Sequence, residues 1–148
     1  MALSLIELAV TISEADAYAS ARGYASWTGT DEDKTAALFR GQSYIAGRFN
    51  GRWKTDFEND AAPDEVKFAI VEAAMRELVS PGSLLPDWSP AAQVKSQRRK
   101  VGPLERETEF ATPTTASGAR PSFGMIDALL SGMIGSTAGA ANFAVTRG

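Results

Sequence analysis

The stretch from Asp64 to Val79 (DEVKFAIVEAAMRELV) decides what the rest of the chain can be. Val66, Ala69, Ile70, Ala73 and Glu77 line one ridge at helical spacing, and Val71, Ala74, Met75 and Leu78 fill the neighbouring ridge. Only Glu65, Lys67, Glu72 and Arg76 demand water, and Glu72 and Arg76 are spaced as a favourable i,i+4 pair. Pro63 suits a first-turn position, and Ser80-Pro81-Gly82 stops the helix. A helix apolar over so much of its circumference belongs in the middle of a bundle. The expected fold class is therefore mainly α, a small helical bundle built around this helix.

The segments before it supply partners. Residues 2–10 read as a short extended or strand-like segment. Thr11 and Ser13 are alternative N-caps for a short helix over about 14–22, Thr11 with Glu14 and Ser13 with Asp16 three residues on. Gly23 supplies the left-handed residue that ends it. Tyr24–Gly29 is a loop carrying Trp27. Thr30 caps a second helix over 31–49, with Asp31, Glu32 and Asp33 at the positive end of its dipole. Ala37, Leu38, Gly41, Ile45 and Phe49 recur at helical spacing along it, and Gly51 ends it. Gly41 and Gly47 each weaken such a helix by about 1 kcal/mol relative to alanine. Close helix–helix approach explains their presence, and Gly41 is expected to be buried. In the loop that follows, Trp53 and Phe57 either fold back to cap the core or, with Arg48, Arg52 and Lys54, leave Arg52 and Trp53 as an anchor for a partner.

After the core helix the character of the chain changes. Leu84–Pro90 is a connector broken by prolines. Val94–Phe110 (VKSQRRKVGPLERETEF) then sets four cations, Lys95, Arg98, Arg99 and Lys100, ahead of three alternating carboxylates, Glu105, Glu107 and Glu109. Period-two alternation is a strand signal. Neither half has enough apolar residues on one face to bury itself, so the segment is either a solvated two-stranded arm or a surface for another chain. A two-residue turn at Gly102-Pro103 would set Lys100 opposite Glu105 and Arg98 opposite Glu107, each pair stabilising by roughly 0.2–1 kcal/mol. Proline is a poor second residue in such a turn, which leaves a wider turn or a continuous extended segment open. Thr112–Pro121 is a linker by composition. Ser122 is a candidate cap for a last short helix with an Ile126, Leu129, Leu130, Met133 stripe, and the small-residue tail after Gly135 cannot build a core alone. The expected organisation is a helical core over 1–90, a charged extended β-like arm and linker over 91–121, and a C-terminal amphipathic helix with its tail over 122–148.

Composition then excludes function classes. None of the 148 residues is cysteine or histidine, which removes thiolate chemistry, the commonest general base and the commonest metal ligand. Asp31-Glu32-Asp33 is explained as the acidic first turn of a helix, and Glu105, Glu107 and Glu109 match neither a two-carboxylate hydrolase site nor a metal cage. There is no Gly-rich phosphate loop and no Gly-Xaa-Ser-Xaa-Gly motif. The expectation is a protein that is not an enzyme, with no catalytic residue, no metal and no cofactor. The formal net charge of −3 argues against a dedicated nucleic-acid binder. Lys95–Lys100 beside Trp88 suggests a stacking platform, but the glutamates that follow bring the stretch close to neutral. The apolar N-terminus has no preceding cation and is interrupted by Glu7, so it is no signal peptide, and no window approaches the roughly 20 apolar residues of a membrane span. A soluble protein made in a cytoplasm is expected.

A wider pattern joins these pieces. Ser13–Tyr18 leads to Ala21-Arg22-Gly23; Lys34–Phe49 (KTAALFRGQSYIAGRF) closes on Gly51-Arg52-Trp53. Pro63-Asp64-Glu65-Val66 opens the core helix, Val94–Glu105 carries the charged arm, and Ile126–Leu130 forms the last helix. Together these resemble the head–tail connector adaptor (head completion) proteins of long-tailed bacteriophages, sequences often labelled DnaT-like single-stranded-DNA-binding proteins. The resemblance runs to about residue 134, and its most specific piece is the KVGPLE arm after a proline-rich connector. It implies a virion protein, assembled in the bacterial host cytoplasm, that forms a twelve-fold ring beneath the portal. Its partners would be the portal protein, neighbouring adaptor subunits and a stopper or tail-terminator protein. Double-stranded DNA would pass through the channel without specific binding, and no membrane is involved. Lys95, Arg98, Arg99, Lys100, Glu105, Glu107 and Phe110 are the expected contact residues of the arm, with Arg52 and Trp53 as a second patch. The competing expectation is a single-stranded-DNA-binding replication accessory protein, and a phage regulatory binding module is a third.

Overall fold

The computed structural model describes residues 2–87, 96–101, 104–109 and 121–135, the two spans between 96 and 109 as backbone. Among the described residues there are helices α1 (Ile12–Ala21), α2 (Asp31–Phe49), α3 (Asp64–Val79) and α4 (Gly124–Leu130), and a single 3-10 turn at Asn59–Ala61. Strands β1 (Ser96–Val101) and β2 (Leu104–Glu109) form an antiparallel pair. The fold is mainly α. The chain divides into two compact units, one made of the residues up to Leu84 with those from Phe123 onward, the other of Leu85–Ser122.

In the helical unit α3 is the centre, over the span its periodicity predicts. Val66, Ala69, Ile70, Val71, Ala73, Ala74 and Met75 are all buried along it. One expectation fails there in an instructive way. Glu72, read as a water-facing residue, is 4% exposed, whereas Glu77 is buried as its place on the ridge implies, with hydrogen bonds to both carboxyl oxygens. Buried charge survives only where it is paired. Glu72 accepts from the Tyr18 hydroxyl at 2.8 Å and from Arg76 at 3.2 Å, the latter being the i,i+4 pair the sequence offers. Glu77 accepts from Arg40 Nε at 3.1 Å and from the backbone N–H groups of Gly82 and Leu84. It thereby folds the chain back at the end of α3.

The caps explain the other boundaries. Thr11 and Glu14 form the reciprocal capping box, so α1 starts at Ile12, and the Ser13 alternative loses. The helix ends in a Schellman arrangement with Gly23 at φ +66°, Gly23 N–H donating to Ser20 and Tyr24 N–H to Ala19. Thr30 caps α2 by accepting from Asp33 N–H. Its other end is Asn50 in right-handed geometry, with Gly51 directly after it and not in a left-handed conformation. Gly41 is buried where α2 crosses α3; a β-carbon there would lie 2.7 Å from Ala74 N and 2.8 Å from Ile70 O. Gly47 meets nothing within 4 Å, so close packing does not account for it.

The segment before α1 is not a strand. Its backbone groups find side-chain amides instead of a neighbouring strand. Asn50 accepts from Leu3 N–H and donates to Leu3 O, copying a peptide's pairing. Gln42, buried in α2, accepts from Ala9 N–H at 2.8 Å and donates to Ser4 O and Glu7 O at 2.6 Å each. Asn59 accepts from Ser4 N–H. At the other terminus, α4 begins after Phe123 with no side-chain cap, so Ser122 does not play that role. Ile126 and Leu130 of α4 are fully buried, and Leu129 and Met133 are partly so. The described helices include none long and apolar enough to cross a membrane.

Candidate protein-interaction site

The arm forms its two strands in the register that a short connection at Gly102-Pro103 demands. Arg98 is opposite Glu107, Lys100 opposite Glu105, Ser96 opposite Glu109 and Val101 opposite Leu104. Gly102 and Pro103 themselves lie outside the described residues, as do Lys95 and Phe110 at the ends of the arm. The same holds for Trp88, Ser89 and Pro90 at the end of the connector, for nearly all of the linker and for the tail after Gly135. Positions 96, 98, 100, 105, 107 and 109 share one face by strand alternation, so that face sets cations of β1 against carboxylates of β2. The other face sets Arg99 opposite Arg106, a like-charge rung that costs rather than stabilises. Five of the seven expected arm residues thus stand on paired strands: Arg98, Arg99, Lys100, Glu105 and Glu107.

Arg52 and Trp53 are in the helical unit and are engaged within it. Trp53 makes an isolated antiparallel bridge with Ile134. Lys54 N–H donates to Met133 O at 3.0 Å, and Gly135 N–H to Arg52 O at 2.7 Å. The Trp53 ring packs between Phe49 and Phe57, centroids 6.1 and 5.2 Å away, and its Nε1 donates to Asn50. Arg52 lies over Phe49, with its Nε enclosed and without a hydrogen-bond partner among the described residues. Both residues therefore help to close the core against the chain leaving α4.

Several cations of the helical unit are paired within it. Lys34 pairs with Asp16 at 2.9 Å and Lys67 with Glu14 at 2.9 Å; Arg48 approaches Asp127 at 3.9 Å. Hydrogen bonds from Lys34 and then Trp27 hold the Asp16 carboxyl below its ordinary pKa. The Thr11 backbone N–H, then Lys67, does the same for Glu14. Arg22 stacks on the Tyr18 ring at 3.7 Å. Burial, then the Glu72 carboxylate, pushes the Tyr18 phenol well above the usual tyrosine range. Trp27, placed in a loop by the sequence, is buried with its Nε1 donating to Asp16 at 2.7 Å. Asp31, Glu32 and Asp33 occupy the first turn of α2. Among the described residues no group of three or more histidine, cysteine, aspartate or glutamate side chains is placed to hold a metal ion.

The buried Tyr18–Glu72–Arg76 cluster and the amide clamp of Gln42, Asn50 and Asn59 are the polar features that sequence reasoning missed. Only the i,i+4 spacing of Glu72 and Arg76 signalled any part of either.

A family model described as "Putative DnaT-like ssDNA binding protein" matches residues 9–56 and 52–148, which takes in the helical unit and the arm. No curated protein and no solved structure gives a significant match. Matched over nearly its whole length, the chain belongs to that DnaT-like family.

Proposed function

We propose that the chain is a non-catalytic assembly subunit of a phage virion: an adaptor that forms a ring beneath the portal at the head–tail connector. It extends the DNA channel and offers the docking surface for the stopper or tail. The observation that carries this reading is the register of the arm. A ribbon that sets Arg98 opposite Glu107 and Lys100 opposite Glu105 offsets the cations of that one face, which makes that face a poor phosphate track but a directional surface for another protein of matching charge order. The helical unit agrees, since Lys34, Arg40, Lys67 and Arg76 are paired to carboxylates and Trp27 and Trp53 pack inward. A mildly acidic subunit also suits a conduit through which DNA slides without sticking. We assign the partner contacts to the arm, and Arg52 and Trp53 to closure of the core.

The second reading, a single-stranded-DNA-binding accessory protein, has the description of the matching family in its favour. Two measurements separate the readings. Size-exclusion chromatography with and without a portal ring should show a monomer that becomes ring-bound only with the portal. Titration with a labelled oligonucleotide at two salt concentrations should show no binding at physiological salt. Binding whose logarithm falls steeply with log salt would instead establish the DNA-binding reading.

A further inference from the structure

Large apolar side chains are exposed at two separate places on the helical unit. One is the tip of the N-terminal segment, where Leu5 is 64% and Ile6 84% exposed. The other is a cleft of about 660 Å3 along α3 and α4, where Val79 is 68% and Met125 42% exposed over a floor that includes buried Met75. Exposed apolar groups clustered in this way mark interaction sites.

We propose that neighbouring copies of this chain interlock through these two places, the Leu5–Ile6 tip of one copy seated in the Met75–Val79–Met125 cleft of the next. This deepens the ring reading above and rests on it.

The tip is built to dock. Ser4 Oγ accepts from both Ile6 N–H and Glu7 N–H at 3.1 Å, which makes a tight turn. Gln42 Nε2 ties Ser4 O and Glu7 O together across its base. A turn held at both ends has little conformational freedom left to lose on binding. No described residue covers Leu5 or Ile6, which are 64% and 84% exposed. The cleft falls within the roughly 300–1,000 Å3 of sites that enclose small ligands, ample for two aliphatic side chains.

Charge selects a second copy as the occupant. Glu7 stands exposed beside the tip, and its carboxylate has no ion-pair partner among the described residues. Arg76 lines the cleft beside Glu72 and pairs with it at 3.2 Å through one nitrogen, Nη1, which leaves Nε and Nη2 directed to no hydrogen-bond partner among the described residues. A guanidinium carries five N–H donors, enough to receive Glu7 from the neighbour as well. Tip and cleft are different surfaces, so the contact is heterologous and repeats from copy to copy, the arrangement that closes into a ring.

The absence of cysteine gives a clean test. Ile6→Cys and Val79→Cys are each made alone in the full chain, and disulfide-linked dimer is followed for each variant and for their mixture at high protein concentration. Both sites are exposed, so folding is not at stake. The mixture should cross-link about tenfold faster than either variant alone, because docking raises the local thiol concentration. Leu5→Asp added to the Ile6→Cys chain should abolish the gain. A mixture no faster than the single variants overturns the proposal, as does faster linking of Ile6→Cys with itself, which would mean a tip-to-tip dimer. Portal binding of the unmodified chain is measured alongside. Portal-bound rings without the cross-link sink this contact alone, whereas the cross-link without portal binding sinks the adaptor reading and leaves the contact standing.

Discussion

The backbone nitrogen of Ala74 lies 2.7 Å from where a β-carbon on Gly41 would stand. The α2–α3 crossing therefore exists only because Gly41 has no side chain. Gly41→Ala gains about 1 kcal/mol of helix propensity but forces two backbones apart, and overpacking of this kind costs about 1–3 kcal/mol or more. The net effect should be destabilising. Gly47→Ala on the same helix meets nothing within 4 Å and should stabilise by about 0.5–1 kcal/mol. Thermal melts of the two variants should move in opposite directions.

The Tyr18 hydroxyl and the Glu72 carboxylate form a buried polar contact between α1 and α3. Tyr18→Phe leaves a buried carboxylate oxygen without this donor and should cost about 1–3 kcal/mol. It should also change the alkaline limb of the stability profile. The folded phenol holds its proton well above the ordinary value of 10.0, chiefly because it is buried. The unfolded chain releases that proton near pH 10, so the contribution is fully present below this pH and is lost as pH rises above it. Urea melts between pH 9 and 11 should show a shallower decline for Tyr18→Phe than for the parent chain.

On the acid side the signs reverse. Glu14 and Asp16 are both held below their ordinary values of 4.5 and 3.8. Their contribution is present above those values and lost as pH falls through the lower folded-state pKa values. Asp16→Asn and Glu14→Gln should each lower stability at pH 7 and flatten its loss below pH 4.5. Chemical denaturation at pH 7 and pH 3 checks both halves.

Gln42 is the clamp of the N-terminal segment. Replacing it with alanine strands the buried Ala9 N–H, at a loss of about 1–3 kcal/mol, and removes a donor from the Ser4 carbonyl, while Glu7 O keeps its bond from Asn59. Hydrogen exchange should report it locally, with the amides of residues 3–9 losing protection before those of α3.

What the sequence could and could not reveal follows from where each partner sits. Thr30, Pro63 and Gly23 act on their own helices, so the span of α2, that of α3 and the end of α1 were legible. Gly41 was legible because a glycine in an apolar ridge points to a close crossing. Glu72 was misread because its partner Tyr18 is 54 residues away. The N-terminal segment was misread for a like reason, since its hydrogen bonds go to amides 33 to 55 residues distant. The arm's register was legible as one of several options, because opposite charges at matching distances from a turn can be counted off the chain.

The arm also offers the sharpest functional test. Arg98→Glu sets two carboxylates opposite one another, since Glu107 is the cross-strand partner, and should weaken the ribbon by roughly 0.2–1 kcal/mol. Adding Glu107→Arg restores opposite charges on that rung with their order reversed. The ribbon should then regain its stability, which exchange protection of β1 amides would report. Association with the portal should not recover. A partner that reads the order of charge along the arm meets the wrong sign at both positions, and juxtaposed like charges cost several kcal/mol, enough for a loss of at least about tenfold. Co-sedimentation of each variant with portal rings at two salt concentrations measures this. Full recovery in the double variant would mean that Arg98 and Glu107 serve only the ribbon, and that the adaptor's contacts lie elsewhere.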